Sequence, residues 1–219
     1  MKINAIITAG GTSSRFGNSN KLLEKINGKE LIKYTVENFD IAEINRIIIT
    51  ANPSIIEILE GFFSSNPKIK ITEGGTTRQQ SVYNGLQQAC GCDYVLIHDG
   101  ARPMISKEII KNTIEAVKLK KAVTVMTKTI DTIKEVDGSG KIIRTIDRSK
   151  LYNTQTPQAF EYKLIKDAHE KLKDLNFTDD AGMAEHLGIN VYMVEGDYKN
   201  IKITTANDIY IANAYLQDL

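Results

Sequence analysis

The sequence predicts an α/β fold, in which a doubly wound, mostly parallel Rossmann-like sheet carries helices on both faces. The first observation behind this prediction is that short apolar runs, typical of buried strands, alternate along the chain with longer amphipathic runs, typical of helices. The second is that polar or glycine-rich segments directly follow several of the apolar runs. Because such sheets bind ligands beyond the carboxyl ends of their strands, we expect a ligand site at that edge.

The predicted strands are short runs rich in isoleucine, valine and threonine. They are Ile3–Thr8, Ile47–Thr50, Ile69–Thr72, Tyr94–His98, Val123–Thr127, Asn190–Val194 and Ile201–Thr204. The predicted helices have apolar side chains at helical spacing, and Ser106 is the expected N-cap of one of them. They are Glu30–Phe39, Ser54–Phe63, Arg78–Ala89, 107–118, Tyr162–Leu175, Asp179–His186 and Ala206–Leu216.

The alternation breaks in segment 128–148, where two β-rich runs flank a short turn. Thr132–Val136 and Lys141–Ile146 surround an Asp-Gly-Ser-Gly sequence, which predicts a protruding β-hairpin arm. A hairpin standing alone is only marginally stable, so we expect this arm to pack on a second copy of the chain and form a homodimer. No linker, repeat or low-complexity tract divides the chain, so we expect one domain over 1–219.

Composition excludes several classes of function. The 219 residues carry a net charge of +1, so no global field draws the chain to nucleic acid or to a membrane surface. No apolar run approaches the about 20 residues that a membrane span needs, and no signal-peptide pattern precedes the first strand. Cys90 and Cys92 are interpreted as reduced thiols. We therefore expect a cytoplasmic protein without nucleic-acid or membrane partners.

A loop rich in small residues follows the first predicted strand. Gly10 and Gly11 open this loop, and the cations Arg15 and Lys21 follow. Small residues let backbone N–H groups approach a phosphate closely, and the two cations suit phosphoryl oxygens. The glycine spacing matches neither the Walker A loop nor the dinucleotide-binding fingerprint. The loop predicts a polyphosphate site, with a solvated surface loop as the alternative.

A second polar cluster, at 74–81, follows the third predicted strand and opens a helix. It contains Gly74, Gly75, Arg78 and Ser81. Free N–H groups at a helix start suit acceptors such as a base carbonyl or a phosphate. The alternative is a purely structural turn with a helix cap.

A third cluster, at 98–103, follows the strongly apolar strand that ends near His98. Asp99 is well placed there to hold a ribose hydroxyl, a substrate hydroxyl or Mg²⁺. The alternative is an ion pair between Asp99 and Arg102 that only shapes the turn. His98 is interpreted as a structural neighbour rather than a base.

The C-terminal half contributes further polar positions. Thr178 precedes two aspartates, which indicates either a ligand contact or a helix N-cap with acidic first-turn residues. Lys202 alternates with Ile201 and Ile203, so its side chain points away from the face that those residues bury. Periodicity leaves open whether Lys202 faces solvent or a ligand.

Taken in order, these segments resemble the 2-C-methyl-D-erythritol 4-phosphate cytidylyltransferase family of the non-mevalonate isoprenoid pathway. The resemblance covers essentially the whole chain, and the 98–103 cluster is its most specific part. It rests on Ala9-Gly10-Gly11 with Arg15 and Lys21, Gly74-Gly75 with Arg78 and Ser81, His98 to Pro103, Asp131 to Lys134, Thr156-Pro157-Gln158, Thr178 to Ala181, Glu195-Gly196 and Lys202-Ile203-Thr204.

The resemblance implies roles for individual positions. The catalytic group would be Arg15, Lys21, Asp99, Arg148 and Lys202. CTP would be bound by Ala9, Gly10, Gly11, Gly74, Gly75, Arg78 and Ser81, and the polyol phosphate by Asp99, Arg102, Arg148, Thr156, Thr178 and Lys202. Arg148, at the base of the 128–148 arm, would reach the substrate of the partner chain.

The implied reaction is transfer of the cytidylyl group from CTP to the polyol phosphate, with pyrophosphate leaving. Mg²⁺ would be held by the triphosphate or by Asp99. The alternative acceptor is ribitol 5-phosphate, used by a related family whose corresponding segment usually has Ser-Val between aspartate and arginine. Gly100 and Ala101 occupy those positions here and favour the erythritol family.

Overall fold

The computed structural model describes residues 1–11 and 20–217, and the account below refers to that part of the chain. It contains eleven strands. They are β1 (Ile3–Ala9), β2 (Lys25–Ile26), β3 (Lys29–Glu30), β4 (Arg46–Ala51), β5 (Ile69–Glu73), β6 (Tyr94–Asp99), β7 (Ala122–Lys128), β8 (Lys134–Val136), β9 (Ile142–Thr145), β10 (Tyr152–Glu161) and β11 (Tyr192–Glu195).

Seven of these strands form one twisted sheet in the order β11-β7-β10-β6-β1-β4-β5. Parallel pairs join β1 to β4 and β6, β4 to β5, and β11 to β7, whereas β10 runs antiparallel to both β6 and β7. The predicted mostly parallel sheet is therefore confirmed. Of the predicted strands, Ile201–Thr204 is wrong, because that segment pairs with no strand of the described ladders.

Seven α-helices surround the sheet within the described residues. They are α1 (Leu31–Phe39), α2 (Ile56–Phe63), α3 (Arg78–Gln88), α4 (Lys107–Lys120), α5 (Tyr162–Lys171), α6 (Asp180–His186) and α7 (Ala206–Gln217). Ser106 caps α4 as predicted, since its side chain accepts from the Ile109 N–H. The helix expected from Ser54 begins only at Ile56, after a 3₁₀ turn over Pro53–Ile55.

Side chains that alternate along the strands build two apolar layers, one on each face of the sheet. Ala5 and Ile7 of β1 pack in the layer that includes α1, α2 and α4, while Ile6 packs in the layer of α3 and α5. Because β1 is buried on both faces, it reads as a continuous apolar run in the sequence. No helix in the described part of the chain is long and apolar enough to cross a membrane.

The hairpin predicted in segment 128–148 is present as the separate pair β8 and β9. Lys134 lies opposite Thr145, and Val136 lies opposite Ile142. Apolar side chains remain exposed along this arm, namely Ile130, Ile133, Val136, Ile142 and Ile143.

Helix α3 packs so closely on the sheet that Gly85 has no room for a side chain. A Cβ atom there would lie 2.6 Å from Ile6 Cγ2. We expect Gly85→Ala to lower the free energy of unfolding by about 1–3 kcal/mol, because the fully buried Ile6 must shift. Gly61 in α2 is the matched control, since a Cβ atom added there would have no neighbour within 4 Å.

Gly61→Ala should leave stability unchanged or raise it by about 0.5–1 kcal/mol, as expected for alanine replacing an exposed helical glycine. Urea unfolding followed by circular dichroism measures both variants. Equal stability of Gly85→Ala and the parent chain would contradict the close packing of α3.

Candidate active site

Two adjoining cavities open at the carboxyl ends of β1 and β6. The first has a volume of about 150 Å³ and the second about 400 Å³. Arg78, Asp99 and Lys202 line both of them. This is the sheet edge at which the sequence predicted a ligand site.

The first cavity is lined by the glycine-rich end of β1. Gly10 and Gly11 lie on one side, and Lys21 enters from the 3₁₀ turn Lys21–Leu23. Asn20 caps that turn by accepting from the Leu22 N–H at 3.1 Å. The cavity therefore unites backbone N–H groups with a cation, as a phosphate site requires. Arg15, the second predicted cation of this loop, lies outside the described residues.

The turn at 74–75 packs directly against Gly10. Ser81 Oγ accepts from the Gly75 N–H at 2.9 Å and donates to the Thr77 carbonyl at 2.9 Å. A Cβ atom on Gly10 would lie 2.8 Å from Ser81 Oγ, so a larger residue at position 10 would push the two segments apart. The two glycine-rich clusters of the sequence thus form one continuous surface.

Asp99, at the end of β6, is the electrostatic centre of the site. The residue is only 6% exposed, and its carboxylate contacts three cations. Lys202 Nζ lies 2.8 Å from Oδ2, Arg78 Nε lies 3.3 Å from Oδ1, and Arg102 Nε lies 3.6 Å from Oδ2. Burial alone would raise the pKa of Asp99, but these cations, led by Arg78 and Lys202, lower the pKa below its ordinary value.

The predicted alternative, an Asp99–Arg102 ion pair that only shapes a turn, describes one of these three contacts. Arg102 is itself fixed by donating from Nη1 to the Asn200 carbonyl at 2.8 Å. Lys202 contacts Asp99 and lines both cavities, while its side chain remains 40% exposed.

Arg78, at the first position of α3, joins Asp99 to a second buried carboxylate. Its Nη1 lies 2.8 Å from Oδ2 of Asp180, whose side chain is only 1% exposed. Burial would lower the pKa of Arg78, but the carboxylates of Asp180 and Asp99 outweigh it and raise that pKa. Within the described residues, Arg78 Nη2 is buried and has no hydrogen-bond partner.

The second cavity is lined by the other residues predicted to bind a polyol phosphate. Arg102, Thr156 and Thr178 all border it. Thr156 Oγ1 accepts from the Asp99 N–H at 3.1 Å and therefore also fixes the end of β6. Thr178 is not the helix cap, because Asp179 occupies that position and accepts from the Gly182 N–H.

His98 is fully buried beside Asp99 and packs against the Phe39 ring at 4.8 Å between centroids. Its Nε2 lies 3.2 Å from the Arg102 carbonyl oxygen, which can only accept, so Nε2 carries the proton. Nδ1 then accepts from the Thr156 hydroxyl at 3.0 Å. Burial lowers the pKa of His98 to about 3, so the ring is neutral and structural, in agreement with the sequence interpretation.

Arg148 is the predicted site residue that the fold of one chain does not bring to Asp99. It lies in a 3₁₀ turn at the base of the arm and donates to the Ile130 carbonyl. It lines a separate surface cavity together with Lys128, Thr129 and Asp147. Within one chain, Arg148 therefore lies outside both cavities that Asp99 lines.

Sequence reasoning did not identify several buried polar side chains as supports of the site. Asp180, Gln158, His169 and Asn200 are each at most 2% exposed. The sequence offered only a weak signal, since Gln158 lies in a strand that is itself mostly polar.

Asp99 was also a candidate metal ligand, and its surroundings do not suit that role. Both carboxylate oxygens already face cations, which a divalent ion would have to displace. Among the residues that the structure describes, no cluster of three or more His, Cys, Asp or Glu side chains could hold a metal ion.

The neutral His98 predicts a pH dependence of stability. In the unfolded chain His98 takes up a proton below its ordinary pKa of 6.5, whereas in the folded chain it stays neutral down to about pH 3. The unfolded state thus binds more protons, and stability falls as pH decreases, by about 1.4 kcal/mol per unit below pH 6.

We expect His98→Asn to remove this component of the slope between about pH 6 and pH 5, although the variant is less stable overall. Substitution of the exposed His186 by Asn is the control and should keep the parent slope. Urea unfolding at several pH values measures it. Identical slopes for the parent and His98→Asn would show that His98 is protonated in the fold.

Comparison with known proteins now places this geometry in a family. The family model for 2-C-methyl-D-erythritol 4-phosphate cytidylyltransferase matches residues 3–218. A protein of that name from Caldanaerobacter subterraneus is 44% identical over 99% of this chain and 100% of its own length. Another from Dictyoglomus thermophilum is 43% identical over 95% of this chain and 94% of its own length.

Solved structures show the same fold. The crystal structure of 4-diphosphocytidyl-2C-methyl-D-erythritol synthase from Anaerococcus prevotii has a TM-score of 0.89 and 36% identity, covering 99% of this chain and 96% of that one. The cytidylyltransferase from Thermus thermophilus has a TM-score of 0.81 and 28% identity, covering 99% and 100%. With its whole length matched in sequence and in fold, this chain belongs to the 2-C-methyl-D-erythritol 4-phosphate cytidylyltransferase family.

Proposed function

We propose that this chain transfers the cytidylyl group of CTP to 2-C-methyl-D-erythritol 4-phosphate, giving 4-diphosphocytidyl-2-C-methyl-D-erythritol and pyrophosphate in the non-mevalonate pathway. The observation that carries this proposal is the pair of adjoining cavities that share Arg78, Asp99 and Lys202. Two ligands that react with each other must bind side by side, as adjoining cavities with shared lining residues allow.

The first cavity and the adjoining 74–75 turn form the CTP site in this proposal. Backbone groups of 9–11 would receive the phosphates, and Gly74, Gly75 and Ser81 would contact the cytosine. Lys21 supplies positive charge beside them, and Arg15 belongs to the same loop. Arg78 lines both cavities and would supply positive charge between the two ligands.

The second cavity forms the acceptor site in this proposal. Asp99 would accept from a hydroxyl of the polyol, since a carboxylate that stays ionised can only accept. Arg102 and Lys202 would attract the anionic acceptor, while Thr156 and Thr178 complete the wall.

The chemistry needs alignment and charge neutralisation more than proton transfer. A phosphate monoester has its second pKa near 6, so its oxygen is already anionic at neutral pH. That oxygen attacks the α-phosphorus of CTP, the bond from this phosphorus to the bridging oxygen breaks, and pyrophosphate leaves. Arg15, Lys21 and Lys202 would offset the repulsion between the two polyanions and stabilise the charge that develops in the transition state.

A divalent cation is not assigned to the protein's own side chains, because the surroundings of Asp99 do not suit one. We propose that Mg²⁺ enters bound to the phosphate oxygens of CTP, which are the hard oxygen ligands that it prefers.

Ribitol 5-phosphate, the alternative acceptor, is not favoured. The matching family model and the relatives described above are named for the erythritol substrate or its product. The Gly100-Ala101 pair also points to that family.

The arm at 128–148 is proposed as the dimer contact. Ile130, Val136, Ile142 and Ile143 are each more than half exposed, and such an apolar surface on a thin hairpin gains stability when a second chain covers it. Arg148 lies at the base of this arm, where it would enter the acceptor cavity of the partner. The Lys21 and Arg148 needed for one site would then come from different chains.

Pyrophosphate release tests the reaction. With CTP present, we expect release with 2-C-methyl-D-erythritol 4-phosphate at a kcat/KM at least tenfold above that with ribitol 5-phosphate, because discrimination of polyol hydroxyls by buried polar groups is strong. Tight CTP binding without turnover of either acceptor would instead indicate a nucleotide-binding protein without catalysis.

In the same assay, Lys21→Ala and Lys202→Ala should each lower kcat by roughly 10²–10³-fold, as expected for the loss of one charge-stabilising donor. Lys199→Ala is the matched control, because Lys199 is an exposed lysine near Lys202 that lines neither cavity. It should retain parent activity. A near-parent kcat for Lys21→Ala or Lys202→Ala would remove that lysine from the proposed mechanism.

Mixing of inactive chains tests the contribution of Arg148 across the dimer. Arg148→Ala chains retain Lys21, and Lys21→Ala chains retain Arg148, so a hybrid dimer has one complete site. After subunit exchange at equal concentrations, we expect recovery of about a quarter of the parent activity, since half of the dimers are hybrids with one site in two. No recovery, with exchange demonstrated by differently tagged chains, would contradict a shared site.

A further inference from the structure

Asp180 is a buried charged side chain for which the proposed chemistry has no use. It is 1% exposed and belongs to the lining of neither cavity, so it does not touch the substrates. Both of its carboxylate oxygens are nevertheless engaged. Oδ2 faces Arg78 Nη1 at 2.8 Å, and Oδ1 faces His169 Nε2 at 2.9 Å. A buried carboxylate is costly unless partners of this kind compensate it, so its presence calls for an explanation.

Gln158 in the middle of β10 fixes the backbone that carries Asp180. Its Oε1 accepts from the N–H groups of both Asp180 and Ala181 at 3.0 Å. Its Nε2 donates to Asp179 Oδ2 at 2.7 Å and to Thr124 Oγ1 at 3.1 Å. The fully buried amide thus anchors the first turn of α6 to the sheet, and with it the carboxylate of Asp180.

Arg78 lies between two carboxylates that compete for its guanidinium group. The contact with Asp180 is 2.8 Å and the contact with Asp99 is 3.3 Å, so Asp180 is the closer partner. Because the guanidinium fork is planar and rigid, the direction of Nη1 also sets the directions of Nε and Nη2. Holding Nη1 on Asp180 therefore prevents the fork from turning fully onto Asp99.

We propose that Asp180 is a positioning residue: it holds Arg78 so that the Asp99 carboxylate stays available to the acceptor. Gln158 and His169 hold Asp180 in turn. This inference rests on the proposed function and adds a residue to it. Without the charge of Asp180, Arg78 would shift further onto Asp99 Oδ1, which its Nε already contacts at 3.3 Å, and would crowd the approach of the acceptor hydroxyl to that oxygen.

Asp180→Asn tests the inference, because the amide has nearly the same shape but no charge. We expect kcat/KM for the acceptor to fall by roughly 10–100-fold, as is usual when a supporting partner of a functional side chain is lost. The larger part of this loss should appear as a raised acceptor KM, since the disturbed contact is one made to the bound acceptor.

Arg78→Gln supplies the second arm of a double-mutant cycle. If Asp180 acts through Arg78, adding Asp180→Asn to Arg78→Gln should change kcat/KM by less than about threefold, because the side chain being positioned is already absent. The double variant also lacks the unpaired buried cation that makes Asp180→Asn prone to unfold. Comparison of Arg78→Gln with the double variant therefore remains decisive even if Asp180→Asn alone does not fold.

Asp40→Asn is the control, since Asp40 is a carboxylate paired with Lys68 and Asn66 that lines neither cavity. It should keep parent activity. A tenfold or greater loss on adding Asp180→Asn to Arg78→Gln, in a folded protein, overturns the inference. Absence of turnover in the parent chain would refute the proposed function instead, and the two failures are thereby distinguished.

Discussion

The attraction between one buried carboxylate and three cations organises this protein. Asp99 ends the central strand β6, while Arg78, Arg102 and Lys202 reach it from α3, from the turn after β6 and from the segment before α7. None of these cations would be stable so close to the others without the carboxylate. The same carboxylate would be too costly to bury without them. The carboxylate offsets the repulsion between the three cations. The site can therefore keep the concentrated positive charge that attracts two polyanions.

The sheet supplies the rigid frame for this charge cluster. β1 and β6 are neighbours and parallel, so their carboxyl ends deliver Gly10 and Asp99 to the same edge. The antiparallel β10 then crosses beside β6 and brings Thr156 and Gln158 to the site from the opposite direction. A neutral, buried His98 completes the frame by joining the Thr156 hydroxyl to the Arg102 carbonyl. The polar groups of this frame hydrogen-bond to one another and fix the geometry of the site, and the cations are the groups that would bind ligands.

The arm at 128–148 is separate from the main sheet. It makes its own ladder and leaves its apolar side chains exposed, so its stability as an isolated hairpin is low. Packing on a second chain would stabilise it, and the same contact would deliver Arg148. In this arrangement a dimer would be part of the chemistry, because one chain alone keeps Arg148 apart from Asp99.

The sequence by itself determined the layers of the fold and indicated the sheet edge that holds the candidate site. The strands β1, β4, β5 and β6 could be predicted because burial on both faces makes them continuous apolar runs, and helical spacing gave α1, α3 and α4. The motifs placed Gly10, Lys21 and Asp99 at strand ends or in loops, whereas Lys202 was predicted to lie within a short strand. Periodicity could not show that Ile201–Thr204 lacks a ladder partner, since pairing depends on a distant segment.

Only the tertiary structure decided how the charges are shared. That Lys202 lies on Asp99, that Asp180 is buried against Arg78, and that Gln158 anchors α6 are contacts between residues at least 21 positions apart. The periodicity of a sequence indicates which face of a helix or strand a residue occupies. It does not indicate which distant side chain contacts that residue in the fold. The electrostatic energy of a charge in a low-dielectric interior depends on its burial and on its distance from other charges, and not on its own identity.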